Sequence, residues 1–312
     1  MTGPFFFTVN LAAGGSKTAR LWPQLKEGLD HAKIEYQFRM TSGPQEAVEL
    51  AAFTPMEWTT VVVGGDGTLS EVISGLAPGR VIGLIPTGRA NDFARSAGIS
   101  PSPKHALKQL LSGEAHFLDV PFVNKQPFLN VAGIGFNAEV ASKAISTRGR
   151  GSLPYVTAFR TLARYRSPEL SVELDGRSST GRVFLLAVGN CRYFAGGMKI
   201  CPGAHFDDGL LDVCIAGDLG KLEALLALGR IFRGTHVHQR KFDYAKAHTV
   251  KVDGPADVIV QADGQIVGRL PVTFTLKRRA LRVILPKGTW NPSKVTSILG
   301  HAQENEDLKT MR

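Results

Sequence analysis

The run Gly64-Gly65-Asp66-Gly67-Thr68 sets one carboxylate among three glycines, between the apolar triplet Val61-Val62-Val63 and the segment Leu69-Ser70-Glu71. This is the order strand, glycine turn, helix start. Leu69, Val72, Ile73 and Leu76 fall at i, i+3, i+4 and i+7, one apolar helical stripe. Thr68 and Glu71 have capping-box spacing, so the spacing predicts a helix beginning at the glycine turn. A helix start offers unpaired N–H groups and the positive end of the helix dipole, which suit phosphate. Glycines let the backbone approach a ligand closely, and Asp66 could hold magnesium between phosphate oxygens. A tight strand-to-helix connection is the plain alternative. The loop is not a Walker A motif, since no Gly-Lys-Ser/Thr follows at the required distance. Nor is it a Gly-x-Gly-x-x-Gly fingerprint, and Gly14-Gly15-Ser16-Lys17-Thr18 also fails as a P-loop for want of its first glycine.

Two further elements share this plan. Val81-Ile82-Gly83-Leu84-Ile85 is a short apolar strand stopped by Pro86, and it opens into Thr87-Gly88-Arg89-Ala90-Asn91-Asp92-Phe93-Ala94-Arg95. Phe5-Phe6-Phe7-Thr8-Val9 ends at Asn10 and then Gly14-Gly15. Three strands that each run into a glycine loop and a helix predict a parallel, Rossmann-like sheet with one ligand crevice at its carboxyl edge.

Together, Gly64-Gly65-Asp66-Gly67-Thr68 and Gly88-x-x-Asn91-Asp92-Phe93-Ala94-Arg95 resemble the diacylglycerol kinase catalytic domain family, which includes soluble bacterial lipid kinases and the sphingosine and ceramide kinases. The first motif is shared with NAD kinases; Asn-Asp-Phe-Ala-Arg separates the lipid kinases from them. The resemblance continues through Phe128-x-Asn130-x-x-x-Ile134-Gly135-Phe136, Asp207-Asp208-Gly209-x-Leu211-Asp212-Val213 and Asp263-Gly264, so it spans nearly the whole chain in order. It implies an ATP- and magnesium-dependent lipid kinase of phospholipid metabolism. Its nucleotide contacts would be Asn10, Thr41, Gly64, Gly65, Asp66, Gly67, Thr68, Leu69, Ser70, Gly88, Arg89 and Asn91. Asp66 and Asp92 are the carboxylates for active-site magnesium and its hydration shell, although an Asn-Asp pair also starts helices. Asp207-Asp208-Gly209-Leu210 on its own reads as a turn. The resemblance instead implies a structural magnesium held by the Asp208 side chain and the carbonyls of His205 and Leu210.

Two positions depart from the family pattern. Where the family has Asp-Gly-Glu, with the glutamate as general base, this chain has Asp263-Gly264-Gln265. An amide can orient a hydroxyl but cannot take its proton. Asp263-Gly264 also fits a type I′ hairpin turn, and both roles can coexist. Arg89 stands where the family has threonine, and arginine there could pair with a phosphate or block the pocket. A non-catalytic ATP- or lipid-binding pseudokinase is therefore the second expectation.

The chain has 312 residues, 43% of them hydrophobic, enough for two domains. The expected division is a nucleotide-binding α/β domain at 1–120, to which 288–312 returns, and an antiparallel β-sandwich lipid-substrate domain at 121–287. Helices are expected over 19–32, 45–53, 70–76, 105–111, 155–165 and 221–232. Strands of the second domain are expected over 128–131, 170–174, 183–188, 211–215, 258–261, 272–276 and 281–285. No run of 18 apolar residues and no basic leader occur, and Cys191, Cys201 and Cys214 lack metal-site spacing. A cytoplasmic protein without disulfides is expected, peripheral at the membrane. His236 and His238 form an isolated pair without further ligands at zinc spacing. The net charge of +10 is carried by Arg148, Arg150, Arg160, Arg164 and Arg166, then by Arg230, Arg233, Arg240 and Lys241. With no nucleic-acid-binding signature, this points to an anionic lipid surface as the place where substrate is met, and a homodimer is compatible with the chain.

Overall fold

The computed structural model describes residues 4–77, 79–146 and 154–288. Apolar, β-branched segments pair in parallel with helical returns between them: β1 (Phe5–Val9), α1 (Ala13–His31), β2 (Tyr36–Met40), α2 (Glu46–Phe53), β3 (Thr59–Gly64), α3 (Asp66–Gly75) and β4 (Val81–Pro86). Two shorter helices follow, α4 (Asp92–Ser96) and α5 (Pro103–Ser112). The parallel order is β2-β1-β3-β4, with Val9 beside Met40 and Val63, and Gly64 beside Pro86. Fully buried strands such as Val61-Val62-Val63 need helices on both faces, and α1, α3 and α5 supply them. All strands in this set end at the same edge, so the loops after β1, β3 and β4 are neighbours.

The second half is antiparallel. It contains β5 (Glu114–Val123), β6 (Gln126–Pro127), β7 (Val131–Gly135), α6 (Phe136–Ser146), α7 (Pro154–Arg164), β8 (Glu169–Leu174), β9 (Arg177–Gly189) and β10 (Leu211–Gly217). Then come α8 (Lys221–Arg233), β11 (Phe242–Ala247), β12 (Val250–Asp253), β13 (Ile259–Ala262), β14 (Gln265–Arg269) and β15 (Val272–Leu285). One layer runs β14-β13-β7-β9-β10-β11. The long β9 bends out of it to pair with β8, which leads through β12 to β15 and β5 in the facing layer. Inward residues of both layers, including Ile134, Leu186, Val213, Val252, Val260 and Phe274, form the sandwich core.

The domains are sewn together by β5 and β15. The first part of β15 lies between β12 and β5, while its end pairs in parallel with β4 at Arg282 and Val283. The expected strands over 272–276 and 281–285 are thus one strand with an irregularity between Lys277 and Leu281. The chain is back in the first sheet before residue 288. Of the segment 288–312, expected to make that return, residues 289–312 lie outside the described residues.

Two local expectations need correction. The helix after the glycine turn starts at Asp66 with Gly65 as N-cap, so Thr68 already lies inside the first turn and the Thr68–Glu71 capping box does not form. The helix expected over 19–32 matches the regular part of α1, since Gly14, Gly15 and Ser16, with φ of 65°, 71° and 66°, form a left-handed glycine loop before it. The strand expected over 128–131 is β7 at Val131–Gly135, because residues 129–131 turn their N–H groups to Asp263 instead of continuing a strand from 128.

Candidate active site

Three loops meet at the carboxyl edge of the parallel sheet, and glycines make the meeting sterically feasible. A Cβ on Gly88 would stand 2.5 Å from Gly65 Cα and 2.8 Å from Asn91 Oδ1, and one on Gly65 would stand 2.9 Å from Gly88 Cα. The backbones of the second and third loops are therefore in van der Waals contact. Thr87 and Gly88 both donate their N–H to Gly64 O, at 2.8 and 3.3 Å. Asn10 Nδ2 donates to Thr68 Oγ1 at 2.9 Å, tying the first loop to the start of α3, and Thr41 N–H bonds Val9 O beside it. Thr18 and Thr87 share a buried hydroxyl contact of 2.6 Å, and a Cβ on Gly14 would collide with Thr87 O. Arg89 is exposed, its guanidinium 3.5 Å from where a Gly15 Cβ would be.

Gly67 differs from these. A Cβ there meets nothing within 4 Å. The fold does not require glycine at this point of the first turn of α3, where the backbone N–H groups have no intrahelical acceptor. Leu69 N–H is already bonded to Gly65 O, whereas Ser70 lies further into the helix. Asn91, in left-handed conformation at φ 51°, caps α4, donates from Nδ2 to Gly88 O, and keeps a buried Oδ1 with no protein donor.

The carboxylates form a chain of clasps. Asp66 accepts the N–H groups of Asp92 (3.1 Å) and Phe93 (3.0 Å) at the start of α4. Asp92, itself buried, accepts those of Gly196 (2.9 Å) and Gly197 (2.8 Å) from a loop of the second domain. Burial raises the Asp92 carboxyl above its ordinary range, opposed by these two N–H groups, and the charge of Asp66 adds to the rise. From the other side, Asp263 turns its carboxylate inward to the N–H groups of Leu129 (2.7 Å), Asn130 (2.9 Å) and Val131 (3.3 Å). Burial pushes it up to about 6 against the pull of those bonds, with the charge of Asp66 contributing again. Asp66, Asp92 and Asp263 thus share one electrostatic neighbourhood contributed by both domains. Asp263 and Gly264 have φ of 48° and 80°, the pair of left-handed residues that a type I′ hairpin between β13 and β14 requires. Gln265 follows as the exposed first residue of β14.

Comparison with known proteins places this geometry. The model of the diacylglycerol kinase catalytic domain matches residues 4–123, and that of the YegS C-terminal NAD kinase beta sandwich-like domain matches 130–285. A diacylglycerol kinase of Bacillus subtilis (strain 168) is 32% identical over 235 residues, 73% of this chain and 77% of the relative. The chain belongs to the diacylglycerol kinase family. A diacylglycerol kinase of Staphylococcus aureus (strain bovine RF122 / ET3-1) is 30% identical over 254 residues, covering 78% of this chain and 79% of that one. The fold agrees with the crystal structure of a putative diacylglycerol kinase from Bacillus anthracis str. Sterne, with a TM-score of 0.76 at 22% identity over 94% and 98% of the two chains. It also agrees, more distantly, with an NAD kinase from Archaeoglobus fulgidus in complex with ATP, at TM-score 0.53 and 13% identity over 90% and 94%. Family membership makes this chain a kinase-type enzyme, with an α/β first domain and an antiparallel sandwich as its second.

The two magnesium positions expected of the family fare differently. Each oxygen of Asp66 and Asp92 takes one backbone N–H, which leaves each a lone pair for water. These residues fit the hydration shell of a cation. At 205–210 the Asp208 carboxylate already has a cation beside it. Lys246 Nζ lies 2.6 Å from Asp208 Oδ2 and 3.3 Å from Asp212 Oδ2, and it donates to Gly203 O at 3.4 Å. Asp208 Oδ1 accepts the N–H of Leu210, and burial, with the Arg192 guanidinium beside it, lowers the pKa of His205. The Lys246 ammonium thus pairs with the carboxylate expected to hold the divalent ion. His236 of the histidine pair is buried, bonded to Ile200 O and edge-on to Phe242 at 5.3 Å, a core residue.

Sequence reading missed the Gly196-Gly197 clasp and the Arg95 guanidinium stacked 5.6 Å over Tyr193 beside it. The only signal was a glycine pair more than a hundred residues from its partner Asp92.

Proposed function

We propose that this protein transfers the γ-phosphate of ATP to the hydroxyl of a diacylglycerol-like lipid. The observation that carries the reading is Gly67, a glycine unneeded by the fold, facing open space at a helix start between two loops in backbone contact. Phosphates laid over the first turn of α3 would meet unpaired N–H groups, and a side chain at 67 would stand in their way. Arg89, beside Gly15, is placed to pair with a phosphate oxygen, and Asn91 Oδ1 offers an acceptor without a protein donor. Asn10, Thr41 and Thr68 line the neighbouring wall.

Carboxylates close to a polyphosphate repel it unless a cation intervenes. Asp66 and Asp92 would hold hydrated magnesium through water, and that ion supplies charge neutralisation on the phosphoryl oxygens. The acceptor enters from the sandwich side, where the Asp263 hairpin brings Gln265 to the rim. Gln265 can orient a hydroxyl through its amide oxygen but leaves the proton to another acceptor, so the rate rests on positioning and electrostatics. The same amide favours a second reading, a nucleotide- and lipid-binding protein with little transfer. Radiolabelled ATP incubated with the protein and a total lipid extract separates them. The first reading expects label in a chloroform-soluble product identified by mass; label confined to ATP and free phosphate would overturn it.

None of the described helices is long and apolar enough to cross a membrane. The acceptor would be reached from the surface, aided by basic residues including Arg160, Arg164 and Arg166. Arg148 and Arg150 of the same run lie outside the described residues.

A further inference from the structure

Helix α8 covers the outer face of the sandwich with a narrow stripe. Ala227 and Ile231 are 3% and 7% exposed, and Ala224 packs beside them. Its other side is also apolar: Leu222 is 69% exposed, Leu226 62%, Leu225 47% and Phe232 40%. A helix apolar all round has an unsatisfied face unless something covers it. Helix α7 presents the same pattern at Phe159, 64% exposed, and the two helices are joined where Lys221 Nζ donates to Ala163 O at 2.6 Å. The exposed faces of α7 and α8 therefore belong to one surface.

The charges flanking the apolar side chains are positive, with Asp218 the exposed acid at the junction of the two helices. Arg230 and Arg233 flank the leucines on α8, and Arg160 and Arg164 flank Phe159 on α7. The acid of α8, Glu223, is neutralised by Lys241 at 2.6 Å and bonds Gly220 N–H. Leucine and phenylalanine ringed by arginine match the acyl boundary and the anionic headgroups of a bilayer. A second protein copy would set these arginines against their own kind. The surface also connects to the candidate site. Lys199 N–H bonds Ile231 O at 3.0 Å in the last turn of α8, and two residues before Lys199 lies the Gly196-Gly197 pair that holds Asp92.

We infer that α8, with the exposed side of α7, is the element that enters the interface of an anionic membrane, its axis in the membrane plane and Leu222, Leu225, Leu226 and Phe232 below the headgroups. The choice of a lipid surface as occupant rests on the lipid-kinase reading. Docking through α8 holds the loop at 193–199, and through it the crevice at Asp92, at the depth where a lipid hydroxyl is found.

The test uses the full chain and vesicles of phosphatidylcholine with or without phosphatidylglycerol. Leu222→Gln with Leu226→Gln keeps helix propensity and removes the apolar face. We expect partitioning onto anionic vesicles to fall by roughly tenfold or more, with calorimetric ATP binding unchanged. Cys191, Cys201 and Cys214 are buried, so a polarity-sensitive dye on Leu225→Cys reports insertion directly, by a blue shift with anionic vesicles. Unchanged partitioning of the double variant, or a dye that stays in water on bound vesicles, would overturn the inference even if lipid phosphorylation is found. Partitioning lost in the variant of a protein that phosphorylates no lipid would uphold docking and defeat the kinase reading. A change from dimer to monomer in the variant, with vesicle binding intact, would make this a self-association face and also overturn the inference.

Discussion

Replacing Gly67 by alanine separates what the fold needs from what a ligand needs. The added methyl meets no protein atom within 4 Å, and the residue lies in the first turn of α3. Exchanging glycine for alanine in a helix lowers the entropy lost on folding and is worth about 0.5–1 kcal/mol. The variant should therefore melt higher, by about 1–3 °C for a chain of this size. If ATP phosphates rest on the N–H groups of this turn, the same methyl lifts them away and weakens one charge-assisted hydrogen bond, at about 1.5–3 kcal/mol. That is roughly a ten- to hundredfold loss in ATP affinity. Calorimetric titration with ATP and magnesium, beside a thermal melt, reads both effects on one preparation. Gly65→Ala is the control, because its Cβ would press on Gly88 Cα at 2.9 Å and should destabilise the protein. A Gly67→Ala protein that melts higher but binds ATP as before would refute the placement of phosphate over α3. One that melts lower would refute the claim that the fold leaves this space open.

Other perturbations address the clasps and the charged cluster. Asp92→Ala strands the Gly196 and Gly197 N–H groups and should destabilise the protein by about 2–4 kcal/mol in urea unfolding; an unchanged midpoint would mean the clasp does not hold the domains. Asp212 is fully buried, and burial pushes its carboxyl up to about 6 despite Lys246 and the Tyr244 hydroxyl. Its folded form holds a proton more tightly than its unfolded form, so its contribution to stability falls as pH rises from about 4 to 6. The stability of the natural protein relative to Asp212→Asn should drop across that window by no more than about 3 kcal/mol, and a flat difference would contradict the shift. Because Lys246 already supplies the cation beside Asp208, a chelator should leave the melting temperature unchanged, whereas Lys246→Met should cost about 3–5 kcal/mol; a melt lowered by chelator alone would mean a bound metal after all.

How much of this was legible in the sequence depends on how local each cause is. The parallel sheet and its three glycine loops could be read because buried strands leave continuous apolar runs, as at Val61-Val62-Val63, and turns leave glycines. The strands expected over 170–174, 183–188, 211–215 and 258–261 overlap β8, β9, β10 and β13, whereas β5, β11 and β12 were not foreseen, and the type I′ turn at Asp263-Gly264 is a two-residue signal. What escaped was set by distant partners. Thr68, read as a cap, lies inside the first turn of α3, where its Oγ1 accepts a bond from Asn10, fifty-eight residues away in the chain. The ammonium of Lys246 beside Asp208 could not be foreseen, since β11 carries it to that turn by pairing with β10. The bend that sends β15 from one domain into the other likewise depends on pairing with β5 along its whole length. Motif residues told which chemistry to look for. Hydrogen-bond partners decided which carboxylates were already in use.

The measurement that bears most directly on the central claim is transfer of labelled γ-phosphate to diacylglycerol in mixed micelles, run on the natural protein, Gly67→Ala and Gln265→Glu together. The natural protein should yield labelled phosphatidic acid in a magnesium-dependent reaction, Gly67→Ala should require far more ATP for the same rate, and Gln265→Glu should be faster, approaching about 10²-fold if the glutamate acts as a base. No labelled lipid from the natural protein or from Gln265→Glu, across diacylglycerol and other lipid alcohols, would contradict the account.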